Sequence, residues 1–262
     1  MGDIARCSLG KPGEFYSEEL LYQMFGINAE LLIDHAWGYE SCTIAQIRAY
    51  KPQSSSLGCG QVLHCPYTAD KARIVVQEMI DGISLELVEK RLVTDQLVLT
   101  VGYDIENLTR PEIRKVYKGP VTTDRYGRRV PKHAHGTWNL PRATSSSSEL
   151  LEAMAALYDK IVNPALLIRR MSLSACHVVN EKMAKEREQK ETFEQLDLFT
   201  DYAKKEAKEK EEQKKRERER RMQEALLTIK KKYGKNAVLR GMNFEEGATA
   251  KERNGQIGGH QA

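Results

Sequence analysis

The chain runs to 262 residues, 40% of them hydrophobic and 30% charged, with a net charge of +4. This composition supports one core in the first two-thirds and leaves a charge-rich remainder near the C-terminus. No apolar run approaches the ~18 residues of a membrane-spanning helix and no signal-peptide core follows Met1, so a cytoplasmic protein without a membrane partner is expected.

The first 34 residues read as short helices. Ser17 is the expected N-cap of one of them, with Glu18 and Glu19 in its first turn and Gly26 as its stop. Residues 38–60 read as a connector, most linker-like at Lys51-Pro52-Gln53-Ser54-Ser55-Ser56. Residues 61–65 form a short strand candidate. A helix over 70–90 follows, with Ala72, Val75, Val76, Met79, Ile80, Ile83 and Leu87 at 3–4 spacing. Leu97 to Val101 is rich in β-branched and aliphatic residues and stops at Gly102 and Asp104, so it is the central strand.

A basic, turn-rich stretch comes next, with a hairpin over 119–131 turning at Asp124 to Gly127. Residues 135–140 are a third strand. Residues 149–162 are a second helix, with Leu150, Leu151, Met154, Leu157 and Ile161 inward. From 167 to 179, Ile168, Arg170, Ser172 and Ser174 alternate with Arg169, Met171, Leu173 and Ala175, a fourth strand with one polar face. The order β-α-β-β-α-β predicts an α+β fold: a four-stranded sheet with two helices on one face and the other face left to bind.

Past residue 180 the apolar period is lost. Residues 204–232 read as one charged helix without a core, carrying Glu206/Lys210, Glu211/Lys215, Glu212/Arg216 and Glu217/Arg221 at i,i+4. The glycine-rich end, 241–262, is expected to be loose. The five cysteines (Cys7, Cys42, Cys59, Cys65, Cys176) are odd in number and irregular in spacing, as reduced thiols are. Cys59, His64 and Cys65 match no zinc pattern, so no metal is expected there.

Positive charge is localised. Residues 110–142 carry nine Lys/Arg against two acids, residues 203–232 thirteen against seven, and residues 1–52 four against seven. Clustered basic charge is the footprint of a polyanion partner. Arg125, Arg128, Arg129, Lys132 and Arg142 are the expected phosphate contacts, with Thr137, Thr144 and Ser145 offering hydroxyls. Tyr126 and Trp138 are candidates for base stacking or for packing in the hairpin and core.

Within the charged linker, residues 193–199 form an apolar island that can help no core it does not touch; its simplest use is burial in a partner's pocket. Gln195-Leu196-Asp197-Leu198-Phe199 resembles the pentapeptide by which bacterial polymerases and repair proteins attach to the sliding clamp. The resemblance implies a glutamine at the pocket's edge with Leu198 and Phe199 in an apolar cleft.

Further strings resemble Y-family (translesion) DNA polymerases of the UmuC/DinB-like branch. Met1-Gly2-Asp3-Ile4-Ala5-Arg6-Cys7 looks like the second half of a thumb subdomain. Gly60-Gln61-Val62-Leu63, Val93-Thr94-Asp95-Gln96-Leu97, Asp124-Arg125-Tyr126-Gly127-Arg128 and His135-Gly136-Thr137 resemble the little-finger domain. Asn254-Gly255-Gln256-Ile257-Gly258-Gly259-His260 resembles the branch's tail. The implied organisation is a thumb remnant at 1–37, a linker at 38–56 and a little finger at 57–180. A clamp-binding linker at 181–202, a charged helix at 203–234 and a flexible tail at 235–262 complete it.

The resemblance implies primer-template DNA, held without regard to sequence, and the sliding clamp as partners, in translesion synthesis within DNA repair and the SOS response. The family holds Mg²⁺ on palm carboxylates that this reading places outside the chain. Asp95, Asp104 and Asp124 read as turn and capping residues, so no catalytic residue, metal or cofactor is expected here and the chain alone should not polymerise DNA. Two other readings stay open, a clamp-targeted adaptor and an RNA-binding α+β module. Against the last, no strand carries the alternating aromatic pair that such sheets use for stacking.

Overall fold

The computed structural model describes residues 1–50, 55–124, 127–184, 186, 202–257 and 260–261. It divides into two compact units, Met1–Gln53 and Ser54–Ala262.

The first unit holds α1 (Gly2–Cys7), α2 (Glu18–Phe25), α3 (Asn28–Ala36) and α4 (Ile44–Ala49) around a small core of Cys7, Leu21 and Ala29. Ser17 stands at the N-cap of α2 as expected, but its hydroxyl donates to Glu19 Oε2 (3.0 Å) instead of accepting from the helix backbone. Helix α4 lies inside the stretch expected to be a linker. Thr43 and Gln46 start it as a capping box, each side chain accepting from the other's backbone N–H.

In the second unit β1 (Leu57–Tyr67), β6 (Ile168–Cys176), β2 (Leu92–Tyr103) and β5 (Ala134–Thr144) run side by side in that order. Every neighbouring pair is antiparallel, and the short β7 (Val179–Asn180) adds to β2 as a fifth strand. Helices α5 (Ala69–Lys90) and α8 (Ser147–Ile161) cover one face, so the α+β class expected from the residue pattern holds. All seven apolar residues expected to face inward on α5 are buried, against Leu97, Leu99, Met171 and Leu173 of the sheet. Helix α8 begins two residues before its expected start, because the Ser146 hydroxyl accepts from the Glu149 N–H (3.3 Å) and caps it there.

Gly136 of β5 lies on the helix face, where a Cβ would sit 2.7 Å from Ile161 Cγ2 and 3.0 Å from Leu157 Cδ1. Gly136→Ala is therefore expected to destabilise the unit by about 1–3 kcal/mol through overpacking. A urea midpoint that falls with an unchanged m-value is the measured sign.

Between β2 and β5 lie α6 (Glu106–Thr109), α7 (Pro111–Val116) and a hairpin of β3 (Val121–Thr123) with β4 (Arg129–Pro131). The hairpin turns where expected, Gly127 taking φ +78° and its N–H bonding to Asp124 O (3.0 Å).

The structure differs from expectation after residue 201. The long helix α9 (Tyr202–Tyr233) forms, and Glu212 meets Arg216 one turn along it. Its C-terminal half, however, packs along α5 with Gln223 buried (2% exposed). The segment after it, expected to be loose, folds onto the same helix. A 3₁₀ turn (Gly241–Phe244) and α10 (Ala250–Arg253) gather around Glu78, a buried carboxylate in the middle of α5. Composition gave no sign of this, because the anchor is one acidic residue within an otherwise amphipathic helix. Among the described residues no helix is long and apolar enough to cross a membrane.

Candidate nucleic-acid interface

The sheet face away from α5 and α8 is built from the alternate residues of four strands. Register sets them in rows. Gly58 stands opposite Ser174, Ser174 opposite Val98, and Val98 opposite Thr137. The next row is Gly60, Ser172, Thr100 and His135, and the third is Val62, Arg170 and Gly102. Gln96, which donates to Asn139 Oδ1 (2.9 Å), continues the surface at the other end. The face is thus small and hydroxylic. Glycines on β1 leave its backbone open to close approach, and the Ser and Thr hydroxyls can donate to an oxygen ligand.

Among the described residues one cation lies on this surface. Arg170 crosses β2 over Gly102, where a Cβ would come within 2.5 Å of Arg170 Cγ and 2.6 Å of its Nε. The lack of a side chain at Gly102 is therefore what lets the guanidinium lie flat on the sheet. Arg170 is exposed, and no ion pair joins it to another described residue. It opens into a cleft of about 930 Å³ between the sheet and the β3–β4 hairpin, lined also by Thr122, Arg128, His133 and Arg169. Its neighbour Arg169 is already engaged, donating to His64 O (2.9 Å) and lying 3.7 Å from Asp104 Oδ2. Tyr103 borders the cleft with its hydroxyl accepting from Asn163 N–H (2.9 Å), and burial pushes its pKa above the usual tyrosine value.

The sequence-expected contacts fall into three groups. Thr137 is exposed on the open face, and Arg129 and Lys132 are exposed on and beside the hairpin. Arg128 is on the hairpin too, but its Nε donates to Asp124 Oδ2 (2.9 Å), which offsets its charge. Arg142, Thr144 and Ser145 lie elsewhere. β5 passes an irregularity between its pairings Gln96↔Asn139 and Thr94↔Thr144, which breaks the alternation and carries its end to the start of α8. There Arg142 pairs with Glu149, Thr144 is buried with its hydroxyl accepting from Ser146 N–H (3.1 Å), and Ser145 accepts from Arg220 (3.1 Å). Trp138 packs against the core. Arg125, Tyr126 and the pentapeptide Gln195, Leu196, Asp197, Leu198 and Phe199 lie outside the described residues.

Arg170, Ser172 and Ser174 were absent from the expected contacts, although the alternation along residues 168–176 already separates a polar face from an apolar one. The residues misread there are Arg169, set with the apolar face but half-exposed, and Ile168. A register shift beside it turns Ile168 into the core, away from Arg170.

The three aspartates have local work. Asp95 meets His177 (2.9 Å), Asp104 Oδ1 accepts from Glu106 N–H (2.8 Å), and Asp124 accepts from the Arg128 N–H (2.9 Å). Among the described residues no group of three His, Cys, Asp or Glu side chains could hold a metal ion, so these residues do not fit the Mg²⁺ pair of nucleotidyl transfer. No protein-family model matches the chain, and no curated protein is found to be significantly similar to it.

Proposed function

We propose that this chain is the DNA-gripping and clamp-tethering part of an error-prone translesion DNA polymerase, acting on primer-template DNA in damage tolerance. The observation that carries the grip is the open sheet face, with its rows of Gly, Ser and Thr and Arg170 laid across Gly102. Such a face suits a sugar-phosphate backbone: close approach, hydroxyl donors and a cation, while the amides of Gln96 and Asn139 at its end are bonded to each other (2.9 Å). Arg170, Arg129 and Lys132 supply the charge, and the clamp tether rests on Gln195 to Phe199 of the sequence. The chemistry of synthesis belongs, in this reading, to palm carboxylates outside the chain.

A clamp-targeted adaptor remains the second reading. It draws on the apolar side chains that the Met1–Gln53 unit exposes, among them Phe15 (76%) and Tyr50 (73%).

The test is DNA affinity of the full chain against salt, read by fluorescence anisotropy on a primed duplex. Binding should weaken steeply with salt and differ little between sequences. Replacing Arg170, Arg129 and Lys132 together with Ala should flatten the slope of log K against log[salt] by about two to three units. An unchanged slope removes the open face from the interface. Absence of salt-dependent binding favours the adaptor.

A further inference from the structure

Helix α9 meets the rest of its unit mainly through polar groups, its apolar contribution being the half-buried Leu226 and Leu227. Gln223 is its buried residue among those described, while Met222 is 56% exposed and Ile229 is exposed as well. The Glu219 carboxylate sits at the start of α8. Ser146 Oγ (2.7 Å) and Ser148 Oγ (2.9 Å) donate to its Oε2, and Ser148 N–H donates to its Oε1 (2.8 Å). There a negative group also meets the positive end of the 15-residue helix. One turn on, Gln223 Nε2 donates to Ser145 O (3.0 Å) and Ser147 Oγ (2.8 Å). Arg220 pairs with Glu181 (3.2 Å) and Lys231 with Glu89 (2.8 Å). A cavity of about 180 Å³ opens at this joint, lined by Arg142, Ser145, Arg216, Glu219 and Gln223, so water and salt reach the charged groups.

We propose that α9 is an arm held by an electrostatic latch, with Glu219 on Ser146 and Ser148 as its fastening, and that it undocks as a unit while the sheet stays folded. Apolar docking would be indifferent to moderate salt, whereas part-exposed ion pairs and charge-assisted bonds weaken with it. Docking also occupies Arg220 and Lys231 with acids of the same unit. Release parts the arm from Glu181 and Glu89, so the free arm, in which Arg220 keeps its pair with Glu224 (3.1 Å), carries less compensated positive charge toward an anionic partner.

The experiment is amide hydrogen exchange on the full chain, wild type and Glu219→Ala, at ~50 mM and ~500 mM NaCl. Protection over residues 216–233 should fall by about tenfold or more in Glu219→Ala and in wild type at high salt, because an undocked helix frays. Amides of α5 should keep theirs. Unchanged protection over 216–233 in both conditions overturns the latch. If Glu219→Ala also opens α5, the wild-type salt series decides, and joint loss over α5 and α9 there overturns it too. No DNA enters the measurement, so its outcome is separate from that of the proposed function.

Discussion

Replacing Leu198 and Phe199 together with alanine is expected to abolish binding to a bacterial sliding clamp and to leave DNA affinity untouched. Two such side chains, buried in a partner's cleft, contribute about 3–6 kcal/mol at roughly 1.5–3 kcal/mol each. At ~1.4 kcal/mol per tenfold, their loss weakens the complex by roughly a hundredfold to ten-thousandfold. Glu194 and Asp197 keep the segment solvated until a pocket receives it. DNA affinity is spared because the open sheet face lies on β1, β6, β2 and β5, remote in sequence from residues 195–199. In the proposed function, tethering would raise the effective concentration of clamp beside DNA bound on the sheet. Titration of both chains against purified clamp decides it. Equal binding by both, or binding by neither, removes the pentapeptide as the tether.

Glu78→Ala is expected to detach the C-terminal segment from α5. The Glu78 side chain, 3% exposed, accepts from Asn243 Nδ2 (2.7 Å), Thr249 N–H (2.8 Å) and Ala250 N–H (3.0 Å). Thr249 and Ala250 are themselves buried, so alanine at 78 leaves their N–H groups without an acceptor and opens a cavity beneath them. At about 1–3 kcal/mol for each orphaned group, the segment loses roughly 3–5 kcal/mol. Arg240 on Asp81 (2.7 Å) and Gln61 on Thr249 (2.9 Å) do not offset that. Glu78→Gln retains one acceptor oxygen and should cost about half as much. Limited proteolysis gives the readout: new cleavage within 241–257 in Glu78→Ala, while 54–180 resists. Equal resistance in wild type and variant would show that the segment is held by other contacts.

What was legible in the sequence was whatever repeats. Seven apolar residues at 3–4 spacing marked the inner face of α5, and alternation along residues 168–176 separated Met171, Leu173 and Ala175 from Ser172 and Ser174. Those two patterns are enough for the layer architecture, since each states which face must be covered. Single polar anchors have no period. Glu78, Glu219 and Gln223 each fix a whole segment, yet each sits among residues of similar type and reads as part of a solvated surface. For that reason the long helix and the C-terminal segment were expected to stand free. Thr144 and Ser145 were misplaced for a related reason. The alternation that puts Thr137 on the open face stops at the irregularity after Asn139, and composition carries no mark of a broken register. Arg170 was visible on the polar face of its strand. Its position over Gly102 depends on the pairing of β2 with β6, which no local stretch of sequence displays.

The most direct measurement of the central claim is a map of amide chemical-shift changes in the isotope-labelled full chain as a short primed duplex is added. The largest changes should fall on Gly58, Gly60, Thr100, Gly102, Thr137, Arg170, Ser172 and Ser174, which share the open face, and on Arg129 and Lys132 beside it. Changes gathered instead on Ser146, Ser148 and residues 216–233, with the open face silent, would contradict the account and place the DNA on the opposite side of the fold.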